Sequence, residues 1–253
     1  MGGTDIHVDL AKREIDPLAF ELLEKAIFIT LFTEEAKEIL IQLNSKWEEK
    51  IKVIPQGVMV PTFEVEQRAQ TCPNKPFTIL LPAGLRAVKD VLYLLPAWIE
   101  LKKTIPHLQV QIIGEALDQS IYEKLIEVTA KYPFIQYLPP VPYNQIGEVY
   151  KQADIVINSS IQEGQSTSIA EAMALGIPVV VRDNAGNRSL VQHGSTGLLF
   201  QSPEEFTACI KRLITDTDLY ERLASQAKKF ILTEGSVQQE VSQYVKLLKK
   251  MRN

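Results

Sequence analysis

Short apolar runs alternate with longer amphipathic segments along most of the chain. The clearest runs lie at 77–81, 110–113, 155–158 and 179–181, and each is followed by a polar turn. Continuous apolar runs of this length predict strands that are buried on both faces, and the amphipathic segments predict helices that cover them. The pattern therefore predicts an α/β fold with a Rossmann-like, doubly wound parallel sheet.

Residues 1–60 show the same alternation with fewer strands. We predict a helix at 17–25, a strand at 26–31, a helix that begins after Thr33 and a short strand at 52–54. Two strands are too few to form a doubly wound sheet with both faces covered. We interpret this part as an incomplete N-terminal α/β portion, the tail of a larger domain.

Residues 61–76 carry three prolines and no apolar period, which is typical of a linker. A complete α/β domain is predicted to follow at 77–235. Its first helix is predicted at 90–103, with a kink at Pro96 because proline interrupts the hydrogen bonds of a helix interior. A further short helix is predicted at 189–193.

The centre of this domain is a strand, a polar turn, a helix at about 166–175 and a second strand. The turn places Glu163 before the helix, and Glu171 follows eight positions later on roughly the same side. The first turn of a helix has unpaired backbone N–H groups and a positive dipole end, so it attracts a phosphate. The candidate phosphate ligands are the residues at this helix tip: Gly164, Gln165, Ser166, Thr167 and Ser168.

Two cations follow the first strand of the same domain. Arg86 and Lys89 lie in the turn after 77–81, at the edge of the sheet that also carries the helix tip. A flexible ammonium and a guanidinium are both suited to phosphate. The alternative is a solvated loop with a helix cap at Asp90, which the residues alone favour almost equally.

The motif around the central helix resembles the E-x7-E signature of retaining, two-domain (GT-B type) glycosyltransferases of the group 1 family. The residues that carry the resemblance are Glu163, Gly164, Glu171, Ala172, Met173, Ala174, Gly176, Pro178, Val179 and Val180. The resemblance implies transfer of a sugar from a nucleotide-sugar donor with retention, and without a metal or other cofactor. It also implies that 77–235 is the C-terminal donor domain and that 1–60 belongs to the acceptor-side domain. The helix in 236–253 would pack back on that N-terminal portion.

The same resemblance assigns roles to the candidate residues. Glu171 would hold the ribose hydroxyls, Glu163 would lie beside the donor sugar as the catalytic carboxylate, and Lys89 would bind the diphosphate. The family's arginine stands five residues before the lysine, where this sequence has Gly84, and we expect Arg86 to replace it.

The turn at 183–187 matches the family's glycine-rich loop, where backbone groups come close to the donor. Ser189 replaces the acidic residue that usually follows that loop. Recognition of the donor sugar is therefore expected to differ here.

Composition excludes several other classes of function. The net charge of −4 has interspersed signs, which argues against nucleic-acid binding. Cys72 and Cys209 are isolated, so neither a metal site nor a disulfide framework is predicted. His7, in the N-terminal turn, is a weak candidate for a base. No signal peptide and no apolar run long enough to span a membrane is found, so we expect a cytoplasmic protein.

Three functions stay open at this point. The chain is expected to be either a glycosyltransferase or a shortened, non-catalytic module that binds a nucleotide sugar or a partner chain. Apolar surface left bare by the missing half of the N-terminal domain would favour self-association. A sugar-nucleotide epimerase of similar architecture is the third alternative.

Overall fold

The computed structural model of the protein describes residues 16–59 and 75–250. The strands in these residues form two parallel sheets. The small sheet pairs β1 (Ile29–Leu31) with β2 (Ile51–Val53). The large sheet contains six strands: β3 (Phe77–Pro82), β4 (Leu108–Ile113), β5 (Ile135–Leu138), β6 (Ile155–Asn158), β7 (Val179–Arg182) and β8 (Leu198–Phe200). Their order is β5-β4-β3-β6-β7-β8, and every neighbouring pair is parallel. This is the doubly wound Rossmann order, so the predicted fold class is confirmed.

Helices connect and cover these strands. In chain order they are α1 (Pro17–Lys25), α2 (Glu34–Leu43), α3 (Leu95–Thr104), α4 (Gln119–Lys131), α5 (Ile146–Tyr150), α6 (Thr167–Ala174), α7 (Ala185–Arg188), α8 (Pro203–Thr215), α9 (Thr217–Glu234) and α10 (Val237–Lys250). Single 3₁₀ segments lie at Ser45–Lys50, Ala87–Lys89 and Tyr143–Gln145. No helix within 16–59 or 75–250 is long and apolar enough to cross a membrane.

The large sheet is apolar on both faces because helices cover both. Along β3, Ile79 and Leu81 pack into one core with Trp98 of α3. Leu80 points the other way, into a second core with Met173 of α6. This alternation explains why the strand reads as a continuous apolar run. A third, smaller core lies between the small sheet and the helices around it.

The first helix of the large domain begins later than predicted. The predicted helix at 90–103 is α3, which starts at Leu95 and has Pro96 in its first turn. Proline is tolerated there because the first N–H groups of a helix have no partner to lose. The predicted kink at Pro96 was therefore wrong, and so was the helix cap at Asp90 in the alternative interpretation of this turn. Asp90 instead has a φ of 45° and a ψ of 47°.

A second correction concerns the segment after β7. The predicted helix at 189–193 is not formed, and the helical turn lies earlier, at α7. Its cap is Asn184, whose side chain accepts a hydrogen bond from the backbone N–H of Asn187 at 3.0 Å. Asparagine is a strong helix cap, and this signal in the predicted loop at 183–187 was overlooked.

The segment after β2 contacts the C-terminal helix. The backbone N–H of Gly57 donates to Glu240 Oε2 of α10 at 2.9 Å, and that of Val58 donates to the Gly235 carbonyl at 2.9 Å. A Cβ added at Gly57 would lie 2.6 Å from the Val237 Cα, so the two backbones touch. The predicted boundaries at 60 and 76 stay predictions, since most of that linker lies outside the described residues.

Candidate functional site

The candidate site lies at the carboxyl edge of the large sheet, where the order of the strands reverses. The turn after β3 carries Lys89 and the turn after β6 carries Glu163, and these two strands are neighbours. The Lys89 Nζ lies 2.5 Å from Glu163 Oε1. Open α/β sheets bind their ligands at such a reversal point, so the predicted cation and carboxylate meet where a ligand is expected.

Glu163 is buried, with 8% of its surface exposed. Its Oε1 also accepts hydrogen bonds from Ser160 Oγ at 2.7 Å and from Asn158 Nδ2 at 2.9 Å. Burial raises the pKa of Glu163, but the Lys89 ammonium and the hydrogen bonds outweigh it and hold that pKa below its usual value. The carboxylate is therefore ionised at neutral pH. All three donors converge on one oxygen, and Oε2 is the oxygen that none of them reaches.

A buried amide network supports these contacts. Asn158 Oδ1 accepts hydrogen bonds from the Ser160 N–H at 3.0 Å and from Asn187 Nδ2 at 3.1 Å. Asn187 Nδ2 also donates to the Arg182 carbonyl at 2.8 Å. Because Asn187 donates to the last residue of β6 and to the last residue of β7, the Glu163 turn is fixed from both strands together.

The predicted glycine-rich loop packs against the Glu163 turn. A Cβ added at Gly186 would lie 2.5 Å from the Glu163 carbonyl oxygen, so only glycine allows this approach. Asn184 Nδ2 donates to the Ser160 carbonyl at 2.9 Å, which joins the same two turns. Ser189 donates to the Gly186 carbonyl at 2.7 Å and thus stabilises the loop itself.

Glu171 has different neighbours from Glu163. Its Oε2 accepts a hydrogen bond from the Tyr150 hydroxyl at 2.9 Å, and Tyr143 donates a further one. Burial raises the pKa of Glu171, and the two tyrosine hydrogen bonds only partly oppose this. Burial and the adjacent Glu171 raise the pKa of Tyr150 far above its usual value, so Tyr150 stays a donor.

The tip of α6 offers unpaired N–H groups. Ser166 is the residue before the helix, and its side chain does not cap it. The Ser166 and Ser168 hydroxyls are 3.2 Å apart, and Asn158 Nδ2 lies 3.4 Å from Ser166 Oγ. The first turn, which begins at Thr167, is thus available to an anion.

Three other predicted residues have no direct contact with Glu163 or Glu171 among the hydrogen bonds of the described residues. Gln165 uses its Oε1 to accept a hydrogen bond from the Gln56 N–H at 2.8 Å, so its amide nitrogen and backbone are the groups left for a ligand. Gly164 lies between Glu163 and Gln165 in the same turn. Arg86 is exposed next to the 3₁₀ turn. Among the hydrogen bonds within 16–59 and 75–250, none joins Arg86 to either glutamate.

Several residues of the site were not found from the sequence. Asn158 and Arg182 end their strands as polar residues after apolar runs, and that position was a usable signal. Tyr143 and Tyr150 belong to an ordinary amphipathic segment, which gave no signal. His7 lies outside the described residues, and in their range no group of three His, Cys, Asp or Glu side chains is placed to hold a metal.

Comparison with known proteins identifies the family. The sequence model described as "Glycosyl transferases group 1" matches residues 62–230, more than half of the chain. The chain belongs to the group 1 glycosyltransferase family. A relative in this family, the "Glycosyltransferase 1 domain-containing protein 1" of Xenopus tropicalis, is 33% identical over 98% of this chain and 74% of its own length.

Two other relatives are longer than this chain. The "Alpha-monoglucosyldiacylglycerol synthase" of Acholeplasma laidlawii is 27% identical over 72% of this chain and 47% of its own length. The "D-inositol 3-phosphate glycosyltransferase" of Nocardia farcinica is 27% identical over 84% of this chain and 51% of its own length. The chain thus matches about half the length of these two relatives.

Solved structures confirm the fold. Anabaena HepE, solved in complex with UDP-glucose, has a TM-score of 0.80 at 22% identity, over 97% of this chain and 71% of that one. The pneumococcal O-GlcNAc transferase GtfA, solved with UDP and GlcNAc, has a TM-score of 0.76 at 22% identity, over 92% of this chain and 47% of that one. At this identity the likeness establishes the GT-B type fold alone.

Proposed function

We propose that this group 1 glycosyltransferase binds a nucleotide-sugar donor at the carboxyl edge between β3 and β6 and transfers the sugar with retention. The observation that carries the proposal is the meeting of Lys89, Glu163 and the uncapped tip of α6 at the point where the strand order reverses. Membership of the family supports it. HepE and GtfA were solved with UDP-glucose and with UDP and GlcNAc, so UDP sugars are the first donors to test.

The diphosphate is assigned to the α6 tip. Backbone N–H groups there, with the hydroxyls of Ser166, Thr167 and Ser168, offer donors to its oxygens. Lys89 lies on the other side, with 16% of its side chain exposed, and supplies positive charge to the departing diphosphate. Arg86 adds a second cation from the surface. These groups supply the charge stabilisation that a divalent ion would otherwise give, so we propose transfer without a metal.

The two glutamates are assigned to the two sugars of the donor. Glu171, held by Tyr150, would accept hydrogen bonds from the ribose hydroxyls once it is ionised. Glu163 is already ionised, and its Oε2 is the oxygen left to face the donor sugar. A carboxylate in that position stabilises the positive charge that develops on the sugar ring in the transition state.

Glu163→Gln tests the catalytic part of the proposal. The variant keeps an oxygen for Asn158 and Ser160 but removes the charge, so kcat should fall by about 10²–10³-fold while UDP affinity changes little. UDP release from UDP-glucose and from UDP-GlcNAc gives kcat, and calorimetry gives the affinity. Glu100→Gln, at an exposed glutamate paired only with Lys103, is the matched control. Undiminished kcat in the Glu163 variant would refute the role.

Two further measurements address retention and metal independence. The anomeric configuration of the product, followed by NMR at early times, should match that of the donor sugar. Addition of EDTA should leave the rate unchanged. Inversion of the anomeric centre, or loss of the rate on chelation that Mg²⁺ or Mn²⁺ restores, would contradict these parts of the proposal.

A non-catalytic binding module is the second candidate, because the chain matches only 47% and 51% of the length of two enzymes of the family. Calorimetric titration with UDP and UDP-glucose, together with the assay of UDP release, separates the two candidates. A chain that binds UDP and UDP-glucose but releases no UDP over hours would be a binding module. Release of UDP with an epimerised free sugar and no acceptor would instead favour an epimerase.

A further inference from the structure

The turn that carries Lys89 has an unfavourable backbone conformation. Lys89 ends the 3₁₀ turn Ala87–Lys89, and Asp90 follows with a φ of 45°. Within 16–59 and 75–250, Asp90 is the only residue other than glycine with a positive φ. Side chains with a Cβ rarely adopt this region, so such a residue persists where its surroundings fix it.

Arg182 provides the fixing contacts. Its Nη1 donates to Asp90 Oδ2 at 2.8 Å and to the Ser159 carbonyl at 3.1 Å. Its guanidinium lies 3.9 Å from the centroid of the Tyr93 ring. A planar guanidinium can hold a carboxylate and stack on an aromatic ring at the same time, which an ammonium cannot do.

The turn after β6 contacts the backbone of the Lys89 turn directly. Ser159 Oγ donates to the Lys89 carbonyl at 3.0 Å, and the Ile161 N–H donates to the Val88 carbonyl at 2.9 Å. Because Arg182 is the last residue of β7 and Ser159 directly follows β6, the turn after β3 is tied to two rigid strand ends. The position of this turn therefore sets the direction of the Lys89 side chain.

We propose that Arg182 is a positioning residue, which holds the Lys89–Asp90 turn so that the Lys89 ammonium faces Glu163 and the diphosphate. The diphosphate part rests on the proposed function above, and the part that concerns Lys89 and Glu163 does not. Arg182 acts through Lys89 and is not assigned a contact with the donor. We call Arg182, Asp90 and Tyr93 the arginine clamp.

The first test needs no nucleotide. Lys89 is mostly buried and paired with Glu163, so acetic anhydride should acetylate it slowly in the folded protein, as measured by mass spectrometry. Arg182→Gln should raise the acetylation rate of Lys89 by about ten-fold, since a hydrogen bond to a charged group is lost. Lys102, which is held by the carbonyls of Pro106 and Leu108, should keep its rate. An unchanged Lys89 rate would overturn the proposal.

Two other variants separate positioning from general loss of stability. Asp90→Asn breaks the ion pair from the other side and keeps a residue that tolerates a positive φ, so it should raise the acetylation of Lys89 as Arg182→Gln does. Arg222→Gln is the matched control, because Arg222 also donates to a carbonyl, that of Gly194, outside the site. Faster acetylation in the Arg222 variant would mean that any lost arginine contact loosens the fold, and would contradict the assignment.

The second test links the clamp to the diphosphate. Arg182→Gln should weaken UDP binding by about ten-fold and leave uridine binding unchanged, because uridine has no phosphate for Lys89. In a Lys89→Ala background the same substitution should have no further effect on UDP, since residues that act as one unit are not additive. Arg182→Lys should behave like Arg182→Gln. Additive losses, or equal losses for UDP and uridine, would refute a role through Lys89.

The two tests fail in distinguishable ways. If the unmodified protein binds neither UDP nor uridine, the proposed function fails, and the acetylation rates still decide whether Arg182 orients Lys89. If UDP binds and Arg182→Gln changes neither the acetylation rate nor the affinity, the clamp is refuted while the proposed function stands.

Discussion

At the level of single residues, the pKa values of the two glutamates of the motif are shifted in opposite directions. Glu163 has a cation and two neutral donors on one oxygen, and its pKa lies below the usual value although burial alone raises it. Glu171 is half-buried beside Tyr150, and burial raises its pKa. The Glu163 carboxylate therefore keeps its charge to a lower pH than usual, and the Glu171 carboxylate gains a proton more easily. This difference suits a charged group beside the reacting sugar and a hydrogen-bond acceptor for hydroxyls.

The opposite pKa shifts predict opposite effects of pH on stability. The low folded pKa of Glu163 stabilises the fold above the unfolded value of about 4.5, and this is lost as pH falls through the folded pKa. The raised pKa of Glu171 stabilises the fold below about 4.5, and this is lost as pH rises through the folded value. Relative to the unmodified protein, Glu163→Gln should lose stability as pH rises from about 3 to about 5, and Glu171→Gln should gain stability as pH rises above about 4.5.

Urea unfolding at several pH values measures both trends. Glu221→Gln serves as the control, because Glu221 is exposed on α9. If the unfolding free energies of Glu163→Gln and Glu171→Gln changed with pH in the same direction, the two pKa shifts would have the same sign, contrary to the structure.

At the level of elements, the candidate site consists of turns that contact one another. The turns after β3, β6 and β7 are joined by Lys89 to Glu163, by Asn187 to Asn158 and by Arg182 to Asp90. Each of these turns begins at the end of a buried strand, and two of them contain a short helical element, the 3₁₀ turn Ala87–Lys89 and α7. The rigid sheet gives the turns their positions, and the side-chain contacts give them their conformations.

Gly186→Ala tests the contact between two of these turns. The new Cβ would collide with the Glu163 backbone, so the variant should lose about 1–3 kcal/mol of unfolding free energy and bind UDP more weakly. Gly194→Ala is the comparison, because Gly194 has a φ of 75° with nothing within 4 Å of an added Cβ. It should cost about 1 kcal/mol through backbone strain alone and leave UDP binding unchanged. Thermal unfolding and calorimetry distinguish the two, and equal UDP affinities would contradict the contact.

At the level of the whole molecule, contacts within the described residues join the N-terminal portion to the large domain and to α10. Gln56 reaches Gln165 at the tip of α6, Glu35 pairs with Arg188 of α7 at 2.9 Å, and Gly57 touches α10. The first two contacts involve elements of the candidate site, so they join the N-terminal portion to the carboxyl edge of the large sheet. Leu18 and Leu22 of α1 are 61% and 62% exposed, and the predicted self-association stays a prediction.

Gly57→Ala tests the docking of α10 on the N-terminal portion. An added Cβ would lie within 2.7 Å of the backbone of Ser236 and Val237, so the two segments must separate, at a cost of about 1–3 kcal/mol. Amide hydrogen exchange within Val237–Lys250 should become faster, while exchange in β3 and β6 should not. Glu240→Gln, which keeps an acceptor for the Gly57 N–H, should show a smaller change. Unaltered exchange in α10 would show that this contact does not hold the helix.

The sequence by itself determined the strands, most helices and the β6-α6-β7 unit, because these depend on local apolar patterns and on turn residues close to one another. It also placed Glu163, Glu171 and the helix tip within one motif. It misplaced the starts of α3 and α7, where a proline in a first turn and an asparagine cap outweighed the apolar pattern.

Only the tertiary structure decided which groups meet. Lys89 and Glu163 are 74 residues apart, and Arg182 and Asp90 are 92 residues apart. These pairs exist because β3, β6 and β7 are consecutive in the sheet. Strand order is a property of the packed core, and no local pattern specifies which strand ends become neighbours.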